Sequence, residues 1–374
     1  MPPRSILERT PGWLKLALAF GALYFFLVGI GAMSAAVKMM GKGYVNDLIE
    51  SASAASPLVA LFIGILATTI VQSSSTTTSI IVGFVAAGAI PFDTAVYMVM
   101  GANVGTTITN TIVSLGHFGH SNEYRRAFAA ATVHDFFNLI VLAVLFPLEV
   151  WTGWLRWLAE HAVTLFEGAG VTALGSPIKA LTQPTIDVLK EICLAVGAGG
   201  GLLLVLAVLL TFGALIVLVK ILRSIMISRL ENLFDRVIFR SAIRGLIFGF
   251  VLTALVQSSS ITTSVAVPLV GAGVLSLHQV FPYTMGANVG TTVTALLAAL
   301  AALDQPTGQL GLTLAVFHFI FNSLGVVMVW PVRWIPIRIA EAFARLAAWN
   351  RFVPLFYIVL TFYVVPALII WLGT

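Results

Sequence analysis

Gln72-Ser73-Ser74-Ser75-Thr76-Thr77-Thr78-Ser79 is a run of side-chain oxygens and amides inside otherwise oily sequence, and it returns as Gln257-Ser258-Ser259-Ser260-Ile261-Thr262-Thr263-Ser264, an offset of 185 residues (257 − 72). Gly101-Ala102-Asn103-Val104-Gly105-Thr106-Thr107 returns as Gly286-Ala287-Asn288-Val289-Gly290-Thr291-Thr292 at the same offset (288 − 103). These groups suit two kinds of ligand. Ser73, Ser74, Ser75, Ser258, Ser259 and Ser260 can donate to an oxyanion, helped by the unpaired N–H groups and partial positive charge of helices that begin there. The same hydroxyls, the amide oxygens of Gln72, Gln257, Asn103 and Asn288, and carbonyls freed where glycines interrupt a helix can coordinate sodium. An anion held beside cations is what co-transport requires. The plainer alternative is that small polar residues let helices pack closely, and the glycine strings can serve both purposes.

Asp135 sits well inside the apolar stretch Ala127–Leu148. An ionised carboxylate costs about 2.5–3.5 kcal/mol at the centre of a spanning helix, so it needs a partner. No Lys or Arg is at hand in an apolar segment, and sodium would serve. Asn138, three residues on, shares its helix face. The alternative is a carboxylate satisfied by serine and threonine. His134 returns as His318, with Asn322 four residues later as Asn138 follows His134, but Phe319 replaces the acid, so the halves are not equivalent. Hydrogen bonding between helices is the expected role of the two histidines.

The elements that must hold these residues are membrane helices. Of 374 residues, 59% are hydrophobic and 9% charged, too little polar coat for a soluble fold. The net charge of +5 comes without basic–aromatic interleaving, which argues against nucleic acid as a partner, and Cys193 alone can form neither an internal disulfide nor a Cys-rich metal site. Spanning helices are expected near Leu14–Val37, Ala95–Leu115, Ala127–Leu148, Ile192–Val219, Val280–Ala301, Leu310–Trp330 and Phe352–Leu372. The first is too long for a signal-peptide core and reads as retained. Ala60–Val71 with Ile80–Ala89, and Leu246–Val256 with Val265–Val274, are pairs too short to cross singly. Each pair, with the polar run separating its members, predicts a re-entrant hairpin, tolerated at membrane depth only where protein or a watery cavity surrounds it. Trp151, Trp154 and Trp157 with Arg156 and Glu160, and likewise Arg333 to Trp349, predict amphipathic interfacial helices.

The fold expected is an all-α polytopic membrane protein of two inverted-topology repeats, each with a re-entrant helical hairpin and an interrupted helix. Residues 1–166 form the first repeat, with a cytoplasmic N-terminus and its hairpin at about 57–90; 167–191 form an external linker; 192–350 form the second repeat, with its hairpin at about 245–275; and 351–374 form a last spanning helix. The orientation rests on the basic stretch Lys220–Arg244, which belongs in the cytoplasm together with Arg125, Arg126 and Arg333 to Arg351. Three crossings then separate the hairpins, so the second enters from the opposite face and the tips meet near the midplane.

The chain resembles the type II sodium-dependent phosphate cotransporters. Both Gln-Ser-Ser-Ser strings, both Gly-Ala-Asn-Val-Gly-Thr strings, Arg125-Arg126-Ala127-Phe128 with Thr132-Val133-His134-Asp135-Phe136-Phe137-Asn138, and His318-Phe319-Ile320-Phe321-Asn322 with Pro336-Ile337-Arg338 carry the resemblance over most of the chain. It implies multi-pass residence in a cell (inner) membrane, as in a bacterial member, and uptake of inorganic phosphate, mainly the divalent form, with sodium by alternating access. It implies phosphate at the serines of both strings, and sodium ligands at Gln72, Thr106, Asp135, Asn138 and Ser259. An aspartate at the position of Asp135 implies electrogenic transport of three sodium ions per divalent phosphate. His117-Phe118-Gly119-His120 departs from the Gln-x-Gly-Asp of animal members, which touches one sodium site and introduces groups that titrate near neutrality. The long glycosylated external loop of animal members is reduced to Glu167–Lys190, and the chain ends at Thr374 one helix short of the family pattern.

Three other functions fit parts of the pattern. A transporter of sulfate or a dicarboxylate would use the same donors, and an anion channel would conduct without sodium. A hydrolase would need an oriented nucleophile, and no Gly-x-Ser-x-Gly elbow or third orienting group accompanies either serine run. The protein is therefore read as a non-enzyme whose partners are phosphate, sodium and the lipid bilayer, with no cofactor.

Overall fold

The computed structural model describes residues 10–41, 50, 55–115, 121–168, 175–234, 241–350 and 352–373. Most of those residues are helical, with no strand among them. In chain order the helices are α1 (Gly12–Met40), α2 (Pro57–Val71), α3 (Ser74–Ala87), α4 (Phe92–Gly105), α5 (Ile108–Ser114), α6 (Ser121–Thr152), α7 (Trp154–Gly168), α8 (Gly175–Ala195), α9 (Gly199–Phe234), α10 (Ala242–Val256), α11 (Ser259–Gly271), α12 (Leu277–Ala301), α13 (Gly308–Val329), α14 (Trp334–Trp349) and α15 (Phe352–Gly373). Six of them, α1, α6, α9, α12, α13 and α15, contain spans long and apolar enough to cross a membrane. The protein is an all-α, multi-pass membrane protein, the architecture that lets each segment satisfy its own backbone in lipid.

The short pairs α2–α3 and α10–α11 are helical hairpins. At 15, 14, 15 and 13 residues, none of their helices spans the apolar layer alone. The first helix of each hairpin packs against the helix carrying the glycine string, α2 on α4 and α10 on α12. Glycine sets that distance. A Cβ on Gly101 would overlap the Leu61 carbonyl and one on Gly64 the Met98 carbonyl; in the second half the same holds for Gly286 on Leu246 and Gly249 on Tyr283. All four positions repeat at 185 residues (249 − 64, 286 − 101, 246 − 61, 283 − 98). Close packing is thus one role of the strings.

The structure differs from the sequence expectation in four places. The polar runs do not separate the hairpin helices: Ser74–Ser79 and Ser259–Ser264 form the opening turns of α3 and α11, and the only break is the Gln–Ser pair before each. The predicted span Ala95–Leu115 is two helices, α4 and α5, broken at Thr106–Thr107 as the first glycine string suggests. The second string does not interrupt its helix, because α12 runs unbroken from Leu277 to Ala301. There the string continues into Ala295-Leu296-Leu297-Ala298, good helix formers, whereas the first continues into Asn110-Thr111. The predicted span Ile192–Val219 instead begins at Gly199, after a turn containing Gly197 at φ 75°. Residues before that turn, within the stretch read as a linker, form α8, which lies on α1 with Tyr24 Oη 2.5 Å from Thr185 Oγ1. The amphipathic α7 and α14 take up the tryptophan-rich stretches, with Trp157 and Trp349 exposed, but Trp151 falls at the end of α6 rather than in α7.

Candidate functional site

Both hairpin turns are built alike. Gln72 (φ 59°, ψ 24°) and Gln257 (φ 58°, ψ 25°) end their helices in the left-handed region, the only non-glycine residues to do so among the described residues. A branched or long residue held there marks a position fixed for more than chain reversal. Each glutamine folds its amide nitrogen back onto its own helix, Gln72 Nε2 to Thr69 O at 2.5 Å and Gln257 Nε2 to Ala254 O, and this frees Oε1 to face a neighbour.

Ser73 and Ser258 then cap the next helix. Ser73 Oγ accepts from Thr76 N at 3.3 Å and Ser258 Oγ from Ile261 N at 3.4 Å. The N–H groups of Ser74 and Ser75, and of Ser259 and Ser260, lie in first turns and have no intrahelical partner. Their hydroxyls also bond none of the described residues, although all four serines are buried. Two buried turns therefore each present backbone donors and hydroxyls at a positive helix end, the equipment for holding an oxyanion.

Three consecutive residues of the short α5 tie these parts together. Thr109 Oγ1 donates to Gln72 Oε1 at 2.9 Å, Asn110 Nδ2 donates to Thr263 Oγ1 of the second hairpin at 2.8 Å, and Thr111 Oγ1 donates to Asp135 Oδ2 at 3.3 Å. Tyr357 Oη of α15 donates to the same carboxylate oxygen at 3.0 Å. Thr107 also lies beside the carboxylate, with its hydroxyl on Val104 O at 3.0 Å. Asp135 is 1% exposed, and its Oδ1 has no partner among the described residues. A buried carboxylate oxygen left open fits a cation.

The second half leaves a comparable gap. Thr294 stands where Thr109 stands in the first half (294 − 109 = 185), yet Gln257 Oε1, Thr294 Oγ1 and Thr253 Oγ1 are all buried and unpartnered among the described residues. These neutral oxygens could hold a sodium ion.

Between the halves runs a reciprocal network. His134 Nε2 lies 3.1 Å from Asn288 Oδ1, and His318 Nε2 lies 3.3 Å from Asn103 Oδ1, so each histidine meets the asparagine of the other half. Asn288 Nδ2 donates to Asn322 Oδ1 (2.6 Å) and Asn138 Oδ1 (3.0 Å), and Asn138 Nδ2 donates to Asn103 O at 3.0 Å. The side-chain oxygens of Asn103, Asn138 and Asn288 each meet one partner, which leaves a second lone pair on each. Thr106 Oγ1 bonds back to Ala102 O at 3.3 Å. The histidines join helices, as expected of them; His117 and His120 lie outside the described residues.

The family described as Na+/Pi-cotransporter matches residues 25–176 and 209–347. The chain belongs to the Na+/Pi-cotransporter family. It is 31% identical to sodium-dependent phosphate transport protein 2A of Rattus norvegicus, over 95% of this chain and 67% of that protein. It is 30% identical to the 2B proteins of Pongo abelii and Homo sapiens, over 94% of this chain and 64% of each relative, so it spans about two thirds of the length of these curated relatives. No solved structure matches the chain.

Within this family member, several site residues escape sequence reasoning. Tyr357 reaches Asp135 from 222 positions away, with nothing local to announce it. Thr109, Asn110 and Thr111 carry a signal only in retrospect: they keep a polar run going where the second copy turns to Thr294-Ala295-Leu296. Glu149 is another. It is fully buried, accepts from Leu155 N at 2.8 Å at the start of α7, and pairs with Arg156 at 2.6 Å, which also pairs with Asp93.

Proposed function

We propose that the protein takes up inorganic phosphate with sodium across a cell membrane by alternating access, carrying the divalent anion electrogenically. The two halves, 1–166 and 192–350, act as inverted repeats about the hairpin turns, and 167–191 connects them outside. Phosphate is held by Ser73, Ser74, Ser75, Ser258, Ser259 and Ser260 with the open N–H groups of α3 and α11. Sodium binds at the open Asp135 Oδ1 and among Gln257, Thr294 and Thr253, with Gln72, Asn103, Thr106, Asn138, Ser259 and Asn288 as further ligands. The observation that carries this reading is the α5 bridge, which links one hairpin tip, the other hairpin and the open carboxylate through Thr109, Asn110 and Thr111. A cation at Asp135 is thereby felt at both anion-binding turns. Membership of a cotransporter family supports binding rather than attack by the serine hydroxyls.

The test is labelled phosphate uptake into proteoliposomes with sodium and voltage varied separately. Uptake should need a sodium gradient, rise with an interior-negative potential and resist excess sulfate or dicarboxylate. Uptake that persists without sodium, or that sulfate abolishes at equal concentration, overturns the reading.

A further inference from the structure

Away from the hairpin turns, a cavity of about 400 Å³ opens where α6, α12 and α14 meet, with the end of α11 at its side. Arg125 and Arg126 of α6, His278 of α12 and Arg345 of α14 line it, and Glu341 is the one carboxylate among its lining residues. Basic residues on one face follow from membrane topology alone and need no ligand. Their convergence around a hollow does not. Three guanidinium groups from positions 220 residues apart (345 − 125) meet one carboxylate there. Arg125, Arg126, His278 and Arg345 are all exposed, so water screens much of their repulsion, and an anion seated among them relieves the rest.

The local geometry adds direction. Arg126 Nε donates to Gly271 O at 2.8 Å, the last carbonyl of α11, which anchors the guanidinium and leaves its other donors to the cavity. Arg125, His278 and Arg345 bond none of the described residues. Ser276 caps α12 at the same cavity, reciprocally with Gln279, so the positive end of a 25-residue helix opens beside the arginines. Planar forks with a helix N-terminus are the chemistry that recognises a phosphate group.

We infer that this cavity is a second phosphate-group site, distinct from the hairpin turns, built by Arg125, Arg126 and Arg345 at the start of α12. Its occupant is a phosphate carried by an anionic lipid or by free inorganic phosphate. Because Arg126 holds the end of α11, whose other end carries Ser259 and Ser260, occupancy bears on the second hairpin.

The full chain in nanodiscs, in sodium-free buffer, tests this apart from the transport site, which the proposed function makes sodium-dependent. One arm titrates inorganic phosphate in phosphatidylcholine discs, and the other counts retained phosphatidylglycerol by native mass spectrometry. At least one arm should show binding. The double variant R125Q/R345Q, which breaks no hydrogen bond among the described residues, should weaken it about tenfold or more, the scale of a charge-assisted contact. E341Q, which removes the opposing charge, should tighten it severalfold, an outcome that a merely structural disturbance does not give. A response only in the first arm assigns the site to free phosphate, and only in the second to lipid. Absence of binding in both arms, or binding that neither R125Q/R345Q nor E341Q changes, overturns the inference.

Discussion

Asp135→Asn separates the charge of the candidate cation site from its shape. Asp135 Oδ2 already accepts from Tyr357 and Thr111, at 3.0 and 3.3 Å, so the amide oxygen of an asparagine can keep that position. Its nitrogen then replaces Oδ1, the atom without a partner, and turns an open acceptor into a donor that cannot ligate sodium. One sodium ion per cycle should be lost while the helices stay in place. An ion falling down a tenfold gradient contributes about 1.4 kcal/mol, and each net charge moved adds about 2.3 kcal/mol per 100 mV. With three ions per divalent phosphate the wild type has about 6.5 kcal/mol available, a phosphate ratio above roughly ten-thousandfold. Losing one ion and its charge removes about 3.7 kcal/mol, roughly 500-fold in that ratio. The assay is steady-state phosphate accumulation in proteoliposomes with valinomycin-set voltage. Wild type should respond to voltage, Asp135→Asn should not, and Tyr357→Phe, which leaves the carboxylate, should keep the response. An asparagine variant that accumulates phosphate in the same proportion to voltage as wild type refutes the reasoning.

Thr294→Val keeps the shape of a buried threonine and removes one unpartnered oxygen; the sodium concentration for half-maximal uptake should rise about tenfold, the scale of a lost contact to a charged group, with thermal stability unchanged. Sodium dependence equal to wild type would exclude Thr294 from the site. Gly286→Ala drives a Cβ onto the Leu246 carbonyl and should cost about 1–3 kcal/mol, seen as a lower melting temperature in detergent. An unchanged melting temperature would mean that α10 and α12 are free to separate. Glu149→Gln should cost about 1.5–3 kcal/mol because a buried, charge-assisted set of hydrogen bonds to Arg156 and to the start of α7 is weakened, whereas Asp93→Asn should stay within about 1 kcal/mol because the Asp93 side chain is 75% exposed. Equal losses in the two variants would contradict that ranking.

Much of this architecture is legible in the amino-acid sequence. The hairpins follow from apolar runs too short to cross a membrane, and Asp135 stands out because an acid in a spanning helix demands a partner. What the sequence obscures has physical causes. A Ser-Ser-Ser-Thr-Thr run reads as loop by propensity, but Thr77, Thr78 and Ser79 donate to the Ser73, Ser74 and Ser75 carbonyls at 2.7–3.0 Å, so the hydroxyls are satisfied within the helix itself. Pro184 and the glycines near α8 suggest a connector, yet packing against α1 keeps that stretch helical. Tyr357 on Asp135 is a contact between distant segments that no spacing rule reaches.

The two halves share a scaffold but divide the chemistry. In the first, Thr109 closes Gln72, and Asp135 supplies charge; in the second, Gln257 and Thr294 remain open and Phe319 stands in place of an acid. In the proposed reading, sodium at Asp135 would cancel a carboxylate that repels a divalent anion, whereas sodium at Gln257 and Thr294 would add positive charge for the anion to offset. Each cation would then raise phosphate affinity, and linkage would require phosphate to raise the affinity for each cation by the same factor. Two identical neutral sites would draw the anion only through added charge, and two acids would make binding depend on neutralisation alone. One of each would let a single anion report on both, because it would bind tightly only when the acid is silenced and the neutral site is filled.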